Sequence, residues 1–455
     1  MDDLIRDIII YICNLLDDVD KFAFLSINKK FDNIKKYLSY DDQVKLFKIY
    51  HNKYFNQFTN VIICSKNKKT VGDDGKLICA KKHRVPTQMK TLKLVSRNNH
   101  NHNYLMSESL TSIDFSNINP GSLFIKGISI IPKNIKIINL GDYNGTIENL
   151  LPEGLTHLTF GFQFNQPVKN LLPSTLTHLT FGLDFNQETG KLPDKLISLD
   201  LGINNNVNPV EYPFPTTLET LSYGPLVNIP ADFFSNRLKN VTMWDDNIID
   251  RLPSSIESLT TNRDITDPSM ILRFNKLKYL NVPNDVFIPD SVTHLTFTGY
   301  YHVLPFDLPI NIIYLDLSRN TNNNHINSPT LKYLKICIDG DYFTRCNLPS
   351  LTHLSIYMGS PSFIPPSVTH LNIDSYRPLI NIPNTVTHLR LTLFNKSIRK
   401  LPDTITHLDL GESFNQTIKK LPKSLVRLEL SSKCYQINKE YLRSLGISIC
   451  IKQYS

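Results

Sequence analysis

Residues 151–171 read LPEGLTHLTFGFQFNQPVKNL, and most of the chain is a degenerate copy of this stretch. A Leu-Pro pair opens the unit and the run LTHLTF follows. Gly161 comes next, then the aromatic-Asn pair Phe164 and Asn165, and a further Leu-Pro closes the unit. A repeat of about twenty residues is the signature of a solenoid. The prolines check the register: a leucine stands five or six residues after each of Pro152, Pro253, Pro309, Pro366 and Pro422. Pro86 with Leu92 and Pro132 with Ile138 carry the pattern upstream, so the array is expected over 86–436.

Within a unit the apolar residues Leu158 and Phe160 alternate with His157 and Thr159, which is strand periodicity. One strand per coil, always in one direction, builds a parallel sheet along one side of a spiral. Leu158 and Phe160 are expected to point in, with His157 and Thr159 out. The proline falls just before the strand, where its missing N–H breaks no ladder bond. Gly161 is expected to supply a turn with positive φ, Phe164 to return the chain to the core, and Asn165 to hydrogen-bond backbone in the bend. So short a coil leaves room opposite the strand only for extended or 3₁₀ segments. Copies between 218 and 286 fit poorly and are expected to bulge.

The stretch FNQP at 164–167, with its variants FNQE at 185–188, FNKS at 394–397 and FNQT at 414–417, resembles the FNIP repeat family. That family is a relative of the leucine-rich repeats, found chiefly in amoebae and in the giant DNA viruses that infect them. The resemblance covers about four fifths of the chain when degenerate copies are counted. It implies a leucine-rich-repeat-like solenoid that binds a protein target.

Composition sets outer bounds. The chain has 455 residues, 41% hydrophobic and 20% charged, which describes a folded protein with one continuous core. A formal charge of +8 permits an acidic partner without demanding nucleic acid. Seven cysteines without paired spacing point to a reducing compartment. The opening MDDLIRDII lacks the positive charge of a secretory signal, and no stretch reaches the length of a membrane span. The expected home is cytoplasm or nucleus, with no membrane partner.

Residues 1–55 read differently. Leu4, Ile8, Ile12 and Leu16 recur at helical spacing, Asp18 or Asp20 is a candidate N-cap for a second helix, and a third is expected over 40–54. The expected fold is therefore α+β by domain: a small all-α segment over 1–55, a basic linker over 56–85, the solenoid over 86–436 with one parallel strand per coil, and a cap over 437–455. Leu4, Ile8, Ile12, Leu16, Asp20, Leu25, Ser26 and Phe31 resemble the pattern of an F-box, with Ile5 where that family has a proline. The resemblance implies that Leu4, Ile8, Ile12, Leu16, Leu25 and Phe31 would contact a Skp-type adaptor, joining the chain to a cullin ubiquitin ligase as its substrate receptor. The alternative is a helical cap over the first coil.

Chemistry-bearing constellations are few. The run 66–97 is basic, with no aromatic residues interleaved for base stacking, so nucleic acid is not the expected partner. Cys64, Cys79 and His83 lack the close Cys-x-x-Cys pair of a zinc site. Thr-His-Leu recurs at His157, His178, His294, His353, His370, His388 and His407, always at the same place in the unit. Either these imidazoles form a recognition face, or Thr-His is simply a strand pair that stacks well between coils. A binding surface varies from coil to coil, so the variable outward positions are the expected target contacts: Asp200, Asp316, Lys335, Arg390, Asp409 and Glu429, with Tyr314, Tyr333 and Arg427 in place of the histidine. Paired histidines without carboxylate or cysteine partners argue against metal. No phosphate loop, nucleophile elbow or His-Glu-x-x-His is present, and the expectation is a non-enzymatic adaptor without cofactor.

Overall fold

The computed structural model describes residues 55–65, 87–96, 108–118, 131–204, 211–226, 229–230, 233–244, 248–283, 286–299, 308–319, 325–338, 340–378, 381–398 and 401–452, together with scattered positions between 9 and 45. The chain divides into two compact units, Met1–Arg237 and Leu238–Ser455.

The first unit is a parallel sheet with one short strand per coil. Its strands are β1 (Val44–Lys45), β2 (Asn60–Ser65), β3 (Thr91–Ser96), β4 (Ser112–Ile118), β5 (Ile137–Asn139), β6 (His157–Thr159), β7 (His178–Thr180), β8 (Ser198–Asp200) and β9 (Thr220–Tyr223). Register is exact from β6 to β9, where Leu158 pairs with Leu179, which pairs with Leu199, which pairs with Leu221, while β3 and β4 shift register between Lys93 and Val95. Leu158, Phe160 and Phe164 are buried, as the alternation requires. Phe160 stacks on Phe164 at 3.9 Å between centroids and on Phe181 of the next coil at 5.3 Å, so the core is a continuous pile of rings and leucines. Burying each such side chain is worth about 1.5–3 kcal/mol.

The bend after the strand is held by asparagines. Oδ1 of Asn165 accepts from the backbone N–H of Asn186 at 3.1 Å and from Nε2 of Gln187 at 3.0 Å, one coil further on. This is the expected backbone satisfaction, and it explains why Gln follows Asn in the unit. The glycine works differently from expectation. Gly161 is not among the positive-φ glycines, which among the described residues are Gly141, Gly190, Gly202, Gly340 and Gly411. A Cβ at Gly161 would stand 1.9 Å from the carbonyl oxygen of Gly141. Close approach of successive backbones excludes a side chain there.

The second unit repeats the plan with β10 (Asn240–Met243), β11 (Ser258–Thr261), β12 (Tyr279–Val282), β13 (His294–Phe297), β14 (Tyr314–Leu317) and β15 (Tyr333–Ile336). It continues through β16 (His353–Tyr357), β17 (His370–Asp374), β18 (His388–Leu391), β19 (His407–Asp409), β20 (Arg427–Ser431) and β21 (Ser448–Lys452). Neighbouring strands pair in parallel throughout. The poorly fitting coil between β11 and β12 carries the 3₁₀ helix Pro268–Arg273, capped by Asp267, whose Oδ1 accepts from the Ser269 N–H at 2.9 Å. Helix α1 (Ser432–Arg443) follows β20 directly, with Ser431 as its N-cap, and the chain then returns to the sheet as β21. The expected cap is thus a helix beginning before 437 and one more strand.

The N-terminal segment is not all-α. Ile9, Ile10, Ile12, Cys13, Asp18, Lys21 and Leu25 are helical, but the third helix expected over 40–54 does not form at its start. Tyr40 bridges Phe58, and Val44 pairs with Val61 in β1 and β2. Tyr40 is fully buried with its ring 5.1 Å from that of Phe58, and Thr59 donates to Oδ1 of Asp41 at 2.6 Å. A short apolar run reads equally as helix or strand, and here the open edge of β2 decides. For the same reason the sheet begins before Pro86: β2 lies inside the expected linker and pairs Val61 with Leu92.

Candidate functional site

Outward side chains of the second unit line a groove of about 500 Å³ across β16 to β20, and a smaller hollow of about 180 Å³ lies over β11 to β14. The groove's two walls follow from strand alternation. The first outward position of each strand is His353, His370, His388 or His407, giving way to Arg427; the second is Ser355, Asn372, Arg390, Asp409 or Glu429.

The histidine wall is a stack. Ring centroids of His353, His370, His388 and His407 follow one another at 4.2 Å, with interplanar angles of 14°, 15° and 7°. Tyr333 continues the stack at 4.4 Å from His353. Each ring is fixed by the threonine before it: Oγ1 of Thr352, Thr369, Thr387 and Thr406 lies 2.9 Å from its neighbour's Nδ1. Among the described residues no group hydrogen-bonds Nε2 of these four rings, and all four rings line the groove. Burial first, and then the like charge of neighbouring rings, holds His353, His370 and His388 below the ordinary histidine pKa. In the first unit His157 and His178 repeat the arrangement at 4.1 Å.

The other wall is charged and layered. Oδ2 of Asp409 lies 3.4 Å from Nε of Arg390 and 2.7 Å from Nζ of Lys452. Glu429 takes Nε of Arg427 at 2.8 Å and the same Lys452 at 2.5 Å. The hydrogen bond from Lys452 holds the Glu429 carboxyl below its usual range. Burial opposes charge on Lys452, but its bonds to Asp409 and Glu429 outweigh that and raise its ammonium pKa. The Asp409 side chain is only 13% exposed, against 56% for Arg390. The wall therefore shows cations to solvent and keeps its carboxylates underneath.

The expected contact positions separate into three places. Arg390, Asp409, Arg427 and Glu429 line the groove. Tyr314, Asp316, Tyr333 and Lys335 sit beside it on β14 and β15, where Asp316 is buried, accepts from the Tyr314 hydroxyl at 3.1 Å and pairs with Lys335 at 3.2 Å. Asp200 belongs to the first unit, with its Oδ1 accepting from the Gly202 N–H at 3.0 Å. Of the adaptor-contact set, Leu25 is helical and buried, Ile12 is helical and exposed, and Leu16 lies in a bend; Leu4, Ile8 and Phe31 lie outside the described residues. Sequence reasoning missed Lys452 and the threonines that fix the rings. The alternating run ISICIK at 447–452 was the signal for Lys452, since it places one more strand beside β20.

Among the described residues no group of three His, Cys, Asp or Glu is placed to hold a metal ion, and none of their helices is long and apolar enough to cross a membrane. No curated protein matches the chain. Among solved structures it is similar to YopM from Yersinia enterocolitica WA-314, at 18% identity over 78% of this chain and 80% of that one, with a TM-score of 0.36. A TLR13-ssRNA13 complex is similar at 15% identity over 88% and 71%, with a TM-score of 0.49. By sequence, residues 125–163, 143–184, 164–204 and 394–433 match the model of the FNIP Repeat, and the chain carries FNIP repeats in both of its units.

Proposed function

We propose that the chain is a non-enzymatic protein-interaction scaffold and that the groove over β16 to β20 is where its target docks. The observation that supports this most directly is the contrast between the two walls. The wall of histidines is constant from β16 to β19, whereas the facing wall changes residue at every coil, from Ser355 to Glu429. A constant wall positions a ligand and a variable one selects it. Affinity capture from cells with the full chain, compared with Arg390→Glu/Arg427→Glu of unchanged circular dichroism, tests this. A protein bound directly by the purified wild type and lost in the variant is the expected result. Equal capture by both would place the interaction elsewhere.

The finer reading is a substrate receptor of a Skp-cullin-F-box ubiquitin ligase, working in the cytoplasm or nucleus. Ile12 favours it: an apolar side chain 37% exposed on helical backbone suits a docking surface for a partner helix. The buried Leu25 and Cys13 fit the alternative of a cap equally well. Binding of purified Skp-type adaptor, lost with Ile12→Asp, would favour the ligase; a folded chain that binds no adaptor leaves a scaffold without that role.

A further inference from the structure

The threonine beside each histidine fixes which protons the groove displays. The carbonyl oxygen of Thr369 already accepts two backbone N–H groups, from Thr387 at 2.9 Å and from His388 at 3.1 Å, while the Thr387 hydroxyl is 3.3 Å away. The same crowding recurs at the carbonyls of Lys332, Thr352 and Thr387. With those lone pairs taken, the hydroxyl donates instead to the nearer Nδ1, at 2.9 Å. Neutral imidazole that accepts at Nδ1 carries its proton on Nε2. When the ring gains a second proton, Nδ1–H donates to the hydroxyl, whose own proton is displaced onto the longer, shared contact with the carbonyl at 3.3 Å. In both states Nε2 keeps its proton, so His353, His370, His388 and His407, which all line the groove, form a row of four donors, and protonation of His353, His370 and His388 adds charge to that row on acidification.

Charge elsewhere agrees. Residues 377–455 hold 13 Lys and Arg against 5 Asp and Glu, a net of +8, which equals the formal charge of the whole chain. The groove's own carboxylates, Asp409 and Glu429, are covered by Arg390, Arg427 and Lys452. The faces between His353, His370, His388 and His407 are taken by the stack itself, and Tyr333 lies against the other face of His353, which leaves little ring surface for a nucleobase. Single-stranded nucleic acid without a stacking platform loses a main source of its affinity. We propose that the groove over β16 to β20 binds an acidic, extended peptide segment of a partner protein, its carboxylates on the Nε2–H row and on Arg390 and Arg427, with affinity that rises as pH falls.

This rests on the groove being the docking site. The groups facing the row complete the electrostatic account: Tyr333 and Lys335 on β15, Arg390 on β18, Asp409 on β19, Arg427 and Glu429 on β20, and Lys452 on β21. Of the residue types in the row and facing it, histidine is the one whose ordinary pKa lies in the mildly acidic range. A bound carboxylate stabilises the imidazolium, so uptake of protons and of peptide reinforce each other.

The test uses the full chain and a fluorescent Asp/Glu-rich peptide bearing a photocrosslinker, read by anisotropy from about pH 7.5 to about pH 5.5. The expected result is at least about tenfold tighter binding at the acid end, with crosslinks on β16 to β20. His370→Gln/His388→Gln keeps a donor at each place but does not titrate, and is expected to flatten the pH dependence while the chain stays folded. Binding that does not change with pH, equal binding of a Lys-rich peptide, or tighter binding of a uridine oligonucleotide would each overturn the proposal. No acidic-peptide binding, with a target still captured through Arg390 and Arg427, overturns the ligand class alone. Crosslinks confined to other coils overturn the groove as the docking site as well.

Discussion

The carbonyl oxygen of Gly141 lies where residue 161 would carry its Cβ: an ideal Cβ built on Gly161 comes within 1.9 Å of it. The contact is backbone on one side and β-carbon on the other, so neither can rotate away. Gly161→Ala is predicted to destabilise the first unit by about 2 kcal/mol or more, whereas Gly446→Ala, with open space around it, is predicted to leave the midpoint of thermal unfolding unchanged. Calorimetry of the two variants checks the pair. Equal midpoints would mean that the coils relax apart at little cost.

Leu158 is buried and His157 beside it is half-exposed. Leu158→Ala is predicted to cost about 2–5 kcal/mol through the cavity it leaves, and Leu158→Asp to disrupt its coil. His157→Ala removes one ring contact and changes stability little. Chemical denaturation distinguishes them, and similar losses would reverse the assignment of the inner and outer faces.

Oδ1 of Asn165 accepts two hydrogen bonds from the next coil. Asn165→Ala leaves the exposed Asn186 N–H to water and is predicted to cost about 0.5–1.5 kcal/mol. Asn165→Asp keeps an acceptor for both donors and is predicted to retain most of the stability. An aspartate variant as unstable as the alanine would show that the amide side chain acts in some other way.

The depressed pKa values of His353, His370 and His388 tie stability to pH. The unfolded chain protonates near about pH 6.5, while the stacked rings resist until the solution is more acidic, so over that window the unfolded state binds more protons. Stability is predicted to be full above the free histidine value and to decline as pH falls through the folded values. The triple variant His353→Gln/His370→Gln/His388→Gln is predicted to lose part of this decline, measured as the thermal midpoint against pH. An unchanged slope would assign the acid sensitivity to carboxylates.

Lys452 holds Glu429 below the usual carboxylate range through a hydrogen bond at 2.5 Å. Lys452→Gln is predicted to raise the Glu429 pKa, followed by carbon NMR of the labelled carboxyl. No movement would mean that Arg427, at 2.8 Å, is sufficient by itself.

The strands of the array were legible because their signal is local and repeated. Leu158, Leu179 and Leu199 each announce an inward position, and repetition averages away the ambiguity of any single short run. The N-terminal residues had no such help. Tyr40 and Val44 occur once, in a run that suits a helix as well as a strand, and their partners Phe58 and Val61 lie 18 and 17 residues away. Half of the groove was legible too. Arg390, Asp409, Arg427 and Glu429 follow from alternation, but Lys452 reaches Asp409 across 43 residues and two strands.

The amino-acid sequence by itself determined the period, the direction of every repeated strand and the face on which each histidine stands, because these depend on neighbours within one coil. Tertiary structure alone decided that Gly161 is a point of backbone contact and not a turn, that the Thr369 carbonyl accepts two backbone N–H groups from the next coil beside the Thr387–His388 contact, and that Asp409 lies beneath its cations. Each of these depends on what the adjacent coil places within about 3 Å, the range of a hydrogen bond. That distance is set by stacking and is not written in any one repeat.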